Sequence, residues 1–291
     1  MAEAVPVADG EREAPGVPGA PTLFDAGERR AWAGRSAAYA AGFGRLCAYT
    51  VPALLDAAGV TAGSRVLDAG TGPGTAAAAA RARGAEVTAV DAEPDMVRAA
   101  AAALPGAEVR LAALPHLPFS AGAFDAAIGN FVLNHVGRPR AALAELRRVT
   151  RPGGRIAVTI WAAPPAPGQA LLGRAVRAAG VERPADLPAL APEDDFPRTP
   201  AGLAELLRGV SGLAGVECAE VAWDHRTTPG EWWRGPAAGV AAIGQTVTSQ
   251  GPAATERVRC AFLALAAEFT AADGRLVLPH RALVGWARVV G

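Results

Sequence analysis

The sequence predicts a doubly wound α/β fold, and three observations carry that expectation. The apolar run Arg65-Val66-Leu67 ends on Asp68 and meets glycines at positions 70, 72 and 74. The alanine-rich stretch from Ala76 to Ala85 follows at once and reads as helix. From there to Trp161, apolar β-type runs alternate with helical patterns, as a mostly parallel sheet with crossover helices requires.

The first unit is the most informative. In Asp68-Ala69-Gly70-Thr71-Gly72-Pro73-Gly74-Thr75 the glycines let the chain turn sharply, free its amides and bring a ligand against bare backbone. A dinucleotide fingerprint would read G-x-G-x-x-G, but Thr75 stands where its third glycine belongs. Asp68, two residues before the first glycine, would repel a pyrophosphate and suits a cationic amine.

The remaining strands and helices follow in order. The first strand is read as Arg65–Asp68, with a helix after it through Arg83. Glu86–Asp91 is the second strand, and a helix from Pro94 to Ala103 carries Asp95 in its first turn. Glu108–Ala112 and Phe124–Gly129 are the third and fourth strands, and Arg140–Val149 is a helix. Arg151-Pro152-Gly153-Gly154-Arg155 reads as a tight turn into a fifth strand, Ile156–Trp161. After a proline linker at 164–167, helices are expected near Leu171–Ala179 and Ala201–Val210, with a proline-rich exposed loop between them. Val216–Thr227 and Leu276–Val290 are two closing strands around an insertion that carries Trp232-Trp233.

The N-terminal part divides in two. Residues 1–21 mix proline, glycine and acids without period and read as a flexible tail. Residues 22–58 read as helices broken near Gly42, with Trp32, Tyr39, Phe43 and Tyr49 at helical intervals. The α/β core then spans 59–163, and 164–291 completes the sheet and holds a lid insertion at about 228–272.

Composition narrows the classes. The 291 residues are 51% hydrophobic, enough for a sizeable core, and the formal net charge of zero gives no general attraction to nucleic acid or anionic membrane. Every basic side chain other than histidine is arginine. The three cysteines, Cys47, Cys218 and Cys260, are widely spaced and suggest neither a disulfide framework nor a metal site. Acids near the start stand where a signal peptide needs basic and apolar residues, and arginines interrupt the alanine runs. A soluble, cytoplasmic protein is expected.

D-x-G-x-G-x-G at 68–74 resembles the first motif of the class I S-adenosylmethionine (SAM)-dependent methyltransferases, whose cofactor carries an α-amino group and no phosphate. Leu117-Pro118-Phe119 with Phe124-Asp125, and the later R-P-G-G-R, look like the small-molecule branch of that family. The resemblance runs from about Tyr39 to Trp161. It implies a Rossmann-like, seven-stranded sheet whose last two strands pair antiparallel, SAM as cofactor and S-adenosylhomocysteine as product.

By the same resemblance, Asp68, Gly70, Thr71, Gly72 and Gly74 would hold the donor's amino-acid part, with backbone at Asn130 and Phe131. Asp91 ends the second strand, where two carboxylate oxygens match a ribose cis-diol. Ala92 follows it, and Met96 either lies on the adenine face or belongs to the core. Relatives usually place an Asp after the third strand to accept the adenine amino group. This chain has Ala113 there, leaving backbone at Ala113 and Leu114, or Ser120, to compensate. Tyr39 is a candidate to fold over the cofactor, and Phe43, Asn134 and Trp161 to line the acceptor space. His135 either takes a proton from the acceptor or only bonds backbone at a helix start. Trp232 and Trp233 either form an aromatic lid over a planar acceptor or seal the insertion to the sheet. His116 and His280 read as structural or exposed.

The function implied is methyl transfer to oxygen, nitrogen or carbon of a small organic molecule, perhaps in secondary metabolism. The absence of D-P-P-Y or N-P-P-Y after the fourth strand, where Asn130-Phe131-Val132 stands, speaks against nucleic-acid bases or glutamine as acceptor. Alternatives are a SAM-binding enzyme catalysing a cyclisation or rearrangement, and a non-catalytic SAM-binding partner protein. A NAD-dependent oxidoreductase is disfavoured by the glycine spacing.

Overall fold

The computed structural model describes residues 20–187 and 189–291. The expected tail at 1–21 thus lies outside the described residues except for its last two positions. The chain begins with α1 (Leu23–Trp32), α2 (Ser36–Ala41), α3 (Phe43–Cys47) and α4 (Val51–Ala57). The expected break at Gly42 is present, but the segment forms more and shorter helices than two. Alternation follows: β1 (Arg65–Ala69), α5 (Thr75–Ala82), β2 (Glu86–Asp91), α6 (Pro94–Ala103), β3 (Glu108–Leu111), β4 (Phe124–Gly129), α7 (Pro139–Val149) and β5 (Thr150–Trp161). The chain closes with α8 (Pro167–Ala178), α9 (Pro200–Arg208), β6 (Leu213–Thr227), α10 (Pro229–Ala237), α11 (Ala241–Thr248), α12 (Pro252–Ala266) and β7 (Leu276–Val289).

One seven-stranded sheet runs in the order β3-β2-β1-β4-β5-β7-β6. The first five strands pair in parallel, and β7 lies antiparallel between β5 and β6. Strand periodicity sends Val66 to one face and Leu67 to the other. Val66 joins α4, α5 and α6 through Leu54, Leu55, Ala77, Ala80 and Ala100. Leu67 joins α7 and α9 through Leu143, Leu146, Leu203 and Leu207. Burial on both faces is what a parallel sheet demands. The alanines of α5 are therefore functional as small residues: Ala77 and Ala80 are completely buried, and they let the helix sit close to the strands.

One expectation about local structure needs correcting. Arg151–Arg155 is the bulged start of β5 rather than a turn before it. Thr150 pairs with Phe124 and Arg155 with Ala126, so β5 advances five residues while β4 advances two, with Gly153 at φ +79°. Trp223 and His225 stand on β6, outside the insertion, because the β6–β7 ladder continues to Thr227 paired with Leu276. Helices α10, α11 and α12 fill the interval between those strands and share a core with α8 through Leu171, Val258, Phe262 and Leu278. No helix among the described residues is long and apolar enough to cross a membrane.

Candidate active site

A cleft of about 920 Å³, part of it open to solvent, lies at the carboxyl ends of β1, β2 and β4, where an open α/β sheet places its ligands. Gly70, Gly72, Asp91, Ala92, Met96, Ala113, Leu114, Asn130 and Phe131 all line it, together with Tyr39 and His135. Residues singled out across 97 positions of sequence thus meet on one surface, from 39 to 135.

The three loop glycines have different jobs. All sit at positive φ: +71° at Gly70, +56° at Gly72 and +90° at Gly74. A Cβ on Gly70 would lie 2.4 Å from Cγ2 of Val132, so this glycine allows the loop to pack under the segment after β4. A Cβ on Gly72 would meet only Cε1 of Tyr39, at 3.5 Å, which makes Gly72 the bare-backbone position of the cavity wall. Gly74 caps the start of α5 and packs against Ala100 and Leu104, away from the cavity.

Thr71 and Asp68 also stand behind the wall. The Thr71 hydroxyl donates to Asp68 Oδ2 at 2.7 Å, and the Ala77 amide donates to the same oxygen at 3.0 Å. The carboxylate therefore joins β1, the loop and the first turn of α5. Its other oxygen, Oδ1, is buried and has no hydrogen-bond partner. Burial raises the carboxyl, the Thr71 and Ala77 bonds oppose that, and the balance is a pKa pushed up to about 6. Completely buried behind the wall, this carboxylate braces the loop and presents no oxygen to the cavity.

Asp91 is anchored where a ribose acceptor is expected. Its Oδ2 accepts from the Gly72 amide at 2.8 Å and its Oδ1 from the Glu93 amide at 3.0 Å. Burial raises its pKa against those two bonds. Each carboxylate oxygen keeps a lone pair for a further donor. Met96 is buried and lines the same wall. Across the cavity Ala113 and Leu114 present no side-chain acceptor, and Ser120 is exposed and away from it.

The segment after β4 is held by a polar cluster. Asn130 Oδ1 accepts from the hydroxyls of Thr50 (2.8 Å) and Thr159 (2.7 Å), and its Nδ2 donates to the Cys47 carbonyl at 3.0 Å. With its side chain so engaged, Asn130 turns backbone to the cavity. Phe131 follows at φ +60°, its amide donating to Thr159 Oγ1 at 2.9 Å. A left-handed aromatic residue costs about 1–2 kcal/mol, which the surrounding bonds must offset.

His135 ends a 3-10 turn (Val132–His135) and bonds to a side chain, which neither sequence reading anticipated. Its Nδ1 lies 2.7 Å from Glu28 Oε2 on α1, and the Trp32 indole donates to the same oxygen at 3.0 Å. Burial raises the Glu28 pKa, but the bonds from His135 and Trp32 outweigh it and the net shift is downward. An ionised carboxylate only accepts, so Nδ1 carries a proton toward Glu28. The Trp32 ring stands edge-on to both His135 (5.1 Å) and Tyr39 (5.2 Å). Asp25, Glu28, Arg29 and Trp32 all line the cavity, so α1 forms one of its walls. Sequence reasoning missed Asp25, Glu28 and Arg29. The only available signal was the capping box Thr22-x-x-Asp25, which marks where α1 starts and says nothing of what it faces.

The residues expected around the acceptor are elsewhere. Phe43, Asn134, Trp161, Trp232 and Trp233 do not line this cavity. Asn134 turns back to donate to the Phe131 carbonyl at 3.1 Å. Phe43 stands edge-on to Trp232 at 5.4 Å, and Trp233 stacks on Phe262 at 5.6 Å inside the insertion's own core. Trp161 touches the cavity only through Phe131, 4.2 Å away. These rings form a second centre beside the first.

Comparison with known proteins decides what the glycine-loop cavity belongs to. Residues 67–158 match a family model described as a methyltransferase domain. Over those residues the core is a methyltransferase domain. A demethylmenaquinone methyltransferase of Beutenbergia cavernae is 40% identical over 122 residues, covering 42% of this chain and 51% of that protein. Another from Renibacterium salmoninarum is 35% identical over 111 residues, covering 38% and 47%. The chain spans about half the length of the curated relatives it matches. The crystal structure of YcgJ from Bacillus subtilis shares the fold at a TM-score of 0.54 and 18% identity, covering 84% of this chain and 99% of that one. The matched part of the methyltransferase domain contains β1 to β5 and most of the cavity, whereas α1, β6, β7 and the insertion lie outside it.

Proposed function

We propose that this chain is a SAM-dependent methyltransferase that methylates oxygen, nitrogen or carbon of a small organic molecule, of the kind made in secondary metabolism, in the cytoplasm. The observation that carries the reading is the single cavity that gathers Gly70, Gly72, Asp91, Met96, Asn130, Phe131 and His135. Relatives named for methylating demethylmenaquinone support a small-molecule acceptor.

SAM supplies a methyl group already activated on a sulfonium, so the protein needs no nucleophile of its own. Gly70 and Gly72 offer backbone to the donor's amino-acid part, Asp68 braces their loop from behind, and Asp91 offers the acceptor for ribose hydroxyls. Ala113 and Leu114 offer only backbone to the adenine edge. Helix α1 and Tyr39 close the cavity against water. Holding two reactants in line accounts for about 7–11 kcal/mol of barrier in favourable cases. His135 Nε2 takes the proton if the acceptor is a hydroxyl or amine.

Isothermal titration with SAM and S-adenosylhomocysteine is the deciding experiment. Micromolar affinity for either supports the reading and justifies screening acceptors by mass for the gain of one methyl. Absence of binding to both would remove it.

A further inference from the structure

The order of the strands divides the cleft at Asp91. In the run β3-β2-β1-β4 this residue ends β2, so β3 lies to one side of it. The glycine loop after β1 and the segment after β4 lie to the other. On that second side the lining is polar or bare, with Gly70, Gly72, Asn130, His135 and Glu28. On the β3 side it consists of Ala92, Met96, Ala112, Ala113 and Leu114. A nucleoside held at Asp91 by its ribose hydroxyls must send its base one way and its 5′ chain the other. With the amino-acid part at the loop glycines, the base falls among the five apolar residues.

That end offers no strong acceptor from a side chain. Four of the five side chains are hydrocarbon, and the Met96 thioether accepts only weakly. Nearby backbone is already engaged. The Ala112 amide donates to the Asp91 carbonyl at 3.0 Å, and the Ala113 carbonyl accepts from the His116 amide at 2.9 Å. The Leu114 N–H is a donor, which suits a ring nitrogen and does nothing for an amino group that also donates. Glu93 lines the cleft as well, but its amide donates to Asp91 Oδ1 at 3.0 Å, which keeps it at the ribose. Ala113 is half-buried on the cleft wall, so the residue at that point decides what the edge of the base meets.

We propose that Ala113 makes the donor site blind to the 6-amino group of its purine. The base is held by shape and dispersion, and a purine nucleoside without the amino group binds as well as adenosine does. The proposal rests on the SAM reading for the occupant, but the blindness follows from the residues at the end of β3. A site built to hydrogen-bond a group rejects the analogue lacking it, because the site's own polar atom is left unpaired. A wall of Ala112, Ala113 and Leu114 side chains has no such atom to strand. What remains is van der Waals contact with Met96 and Leu114, which adenine and unsubstituted purine satisfy alike.

The test titrates S-adenosylhomocysteine and its 6-deamino analogue, in which hydrogen replaces the amino group, into the full-length protein. Wild type should bind the two within about threefold of each other, or favour the deamino compound. Ala113→Asp and Ala113→Asn each place an oxygen acceptor at the end of β3. A variant that keeps the wild-type thermal midpoint should then favour S-adenosylhomocysteine by at least about tenfold. A larger wild-type preference for S-adenosylhomocysteine overturns the proposal. So does a failure of folded variants to gain one, since the base would then lie elsewhere. The wild-type comparison decides alone if neither variant folds. Wild type that binds neither compound strikes the methyltransferase reading instead, so the two failures are distinct.

Discussion

His135 Nδ1 sits 2.7 Å from Oε2 of Glu28, a residue 107 positions earlier in the chain. The bond fixes the imidazole tautomer and fastens α1 to the segment after β4. Asp25 adds a second fastening, accepting from the Gly137 amide at 2.7 Å. The same contact therefore orients the imidazole and closes a wall.

His135→Ala should lower kcat by about 100- to 10,000-fold with a protic acceptor, the usual range for a general base. Affinity for S-adenosylhomocysteine should change by less than about threefold, roughly 0.6 kcal/mol. Steady-state kinetics beside calorimetry separate the two. Equal losses in both would mean that the histidine only supports the wall.

Asp91→Ala should weaken S-adenosylhomocysteine at least about tenfold, or 1.4 kcal/mol. It removes the proposed ribose acceptor and also frees the Gly72 amide, now held at 2.8 Å. Calorimetry that finds unchanged affinity would sink the assignment.

Gly70 and Gly72 should respond differently. Gly70→Ala forces a Cβ to within 2.4 Å of Val132 Cγ2 at φ +71°, and should destabilise the fold by about 1–3 kcal/mol in urea unfolding. Gly72→Val meets no such wall, so the protein should fold with a lowered midpoint yet lose cofactor binding. A Gly72→Val protein that still binds S-adenosylhomocysteine would show that the backbone there is not a contact surface.

Stability should carry a signature of Asp68. Its pKa stands at about 6 in the fold, against about 3.9 for an unfolded Asp, so folding takes up a proton between those values. The contribution is full below pH 4 and is lost as pH rises through about 6. His280, pushed down to about 4 by burial, acts oppositely, contributing fully above pH 6.5 and losing it as pH falls to about 4. Comparing wild type with Asp68→Asn cancels the histidine. Denaturant unfolding at pH 4 and pH 7 should show the variant gaining about 2 kcal/mol on the wild type over that interval. A gap that does not move with pH would refute the buried carboxyl's role.

Much of the core was legible because its signals are local. Pro94 starts α6, and the strands β2 and β4 are short runs bounded by turn residues, so their limits read directly. The glycine loop was legible because all three glycines need positive φ. The wall formed by α1 was not, since Glu28 is one charge among several on a short helix and its partner is distant in sequence. Thr71, Asp68 and Gly74 were placed in the right loop but on its far side, which spacing alone does not resolve. Trp232 and Trp233 were read as a pair, yet Trp232 packs with His225 and His280 of the long β6–β7 ladder while Trp233 stacks on Phe262. That ladder starts at Leu213, three residues earlier than the apolar pattern suggests, because its first residues alternate poorly.

Thr227 and Leu276 face each other across one antiparallel pair, and everything between them is the α10–α12 excursion. The chain leaves the sheet and returns to it at the same rung. That segment can lengthen, shorten or be exchanged without shifting a single strand register or disturbing the glycine loop. Helices α1 and α2, against which α11 and α10 pack, and α8, which shares their core, would feel such a replacement.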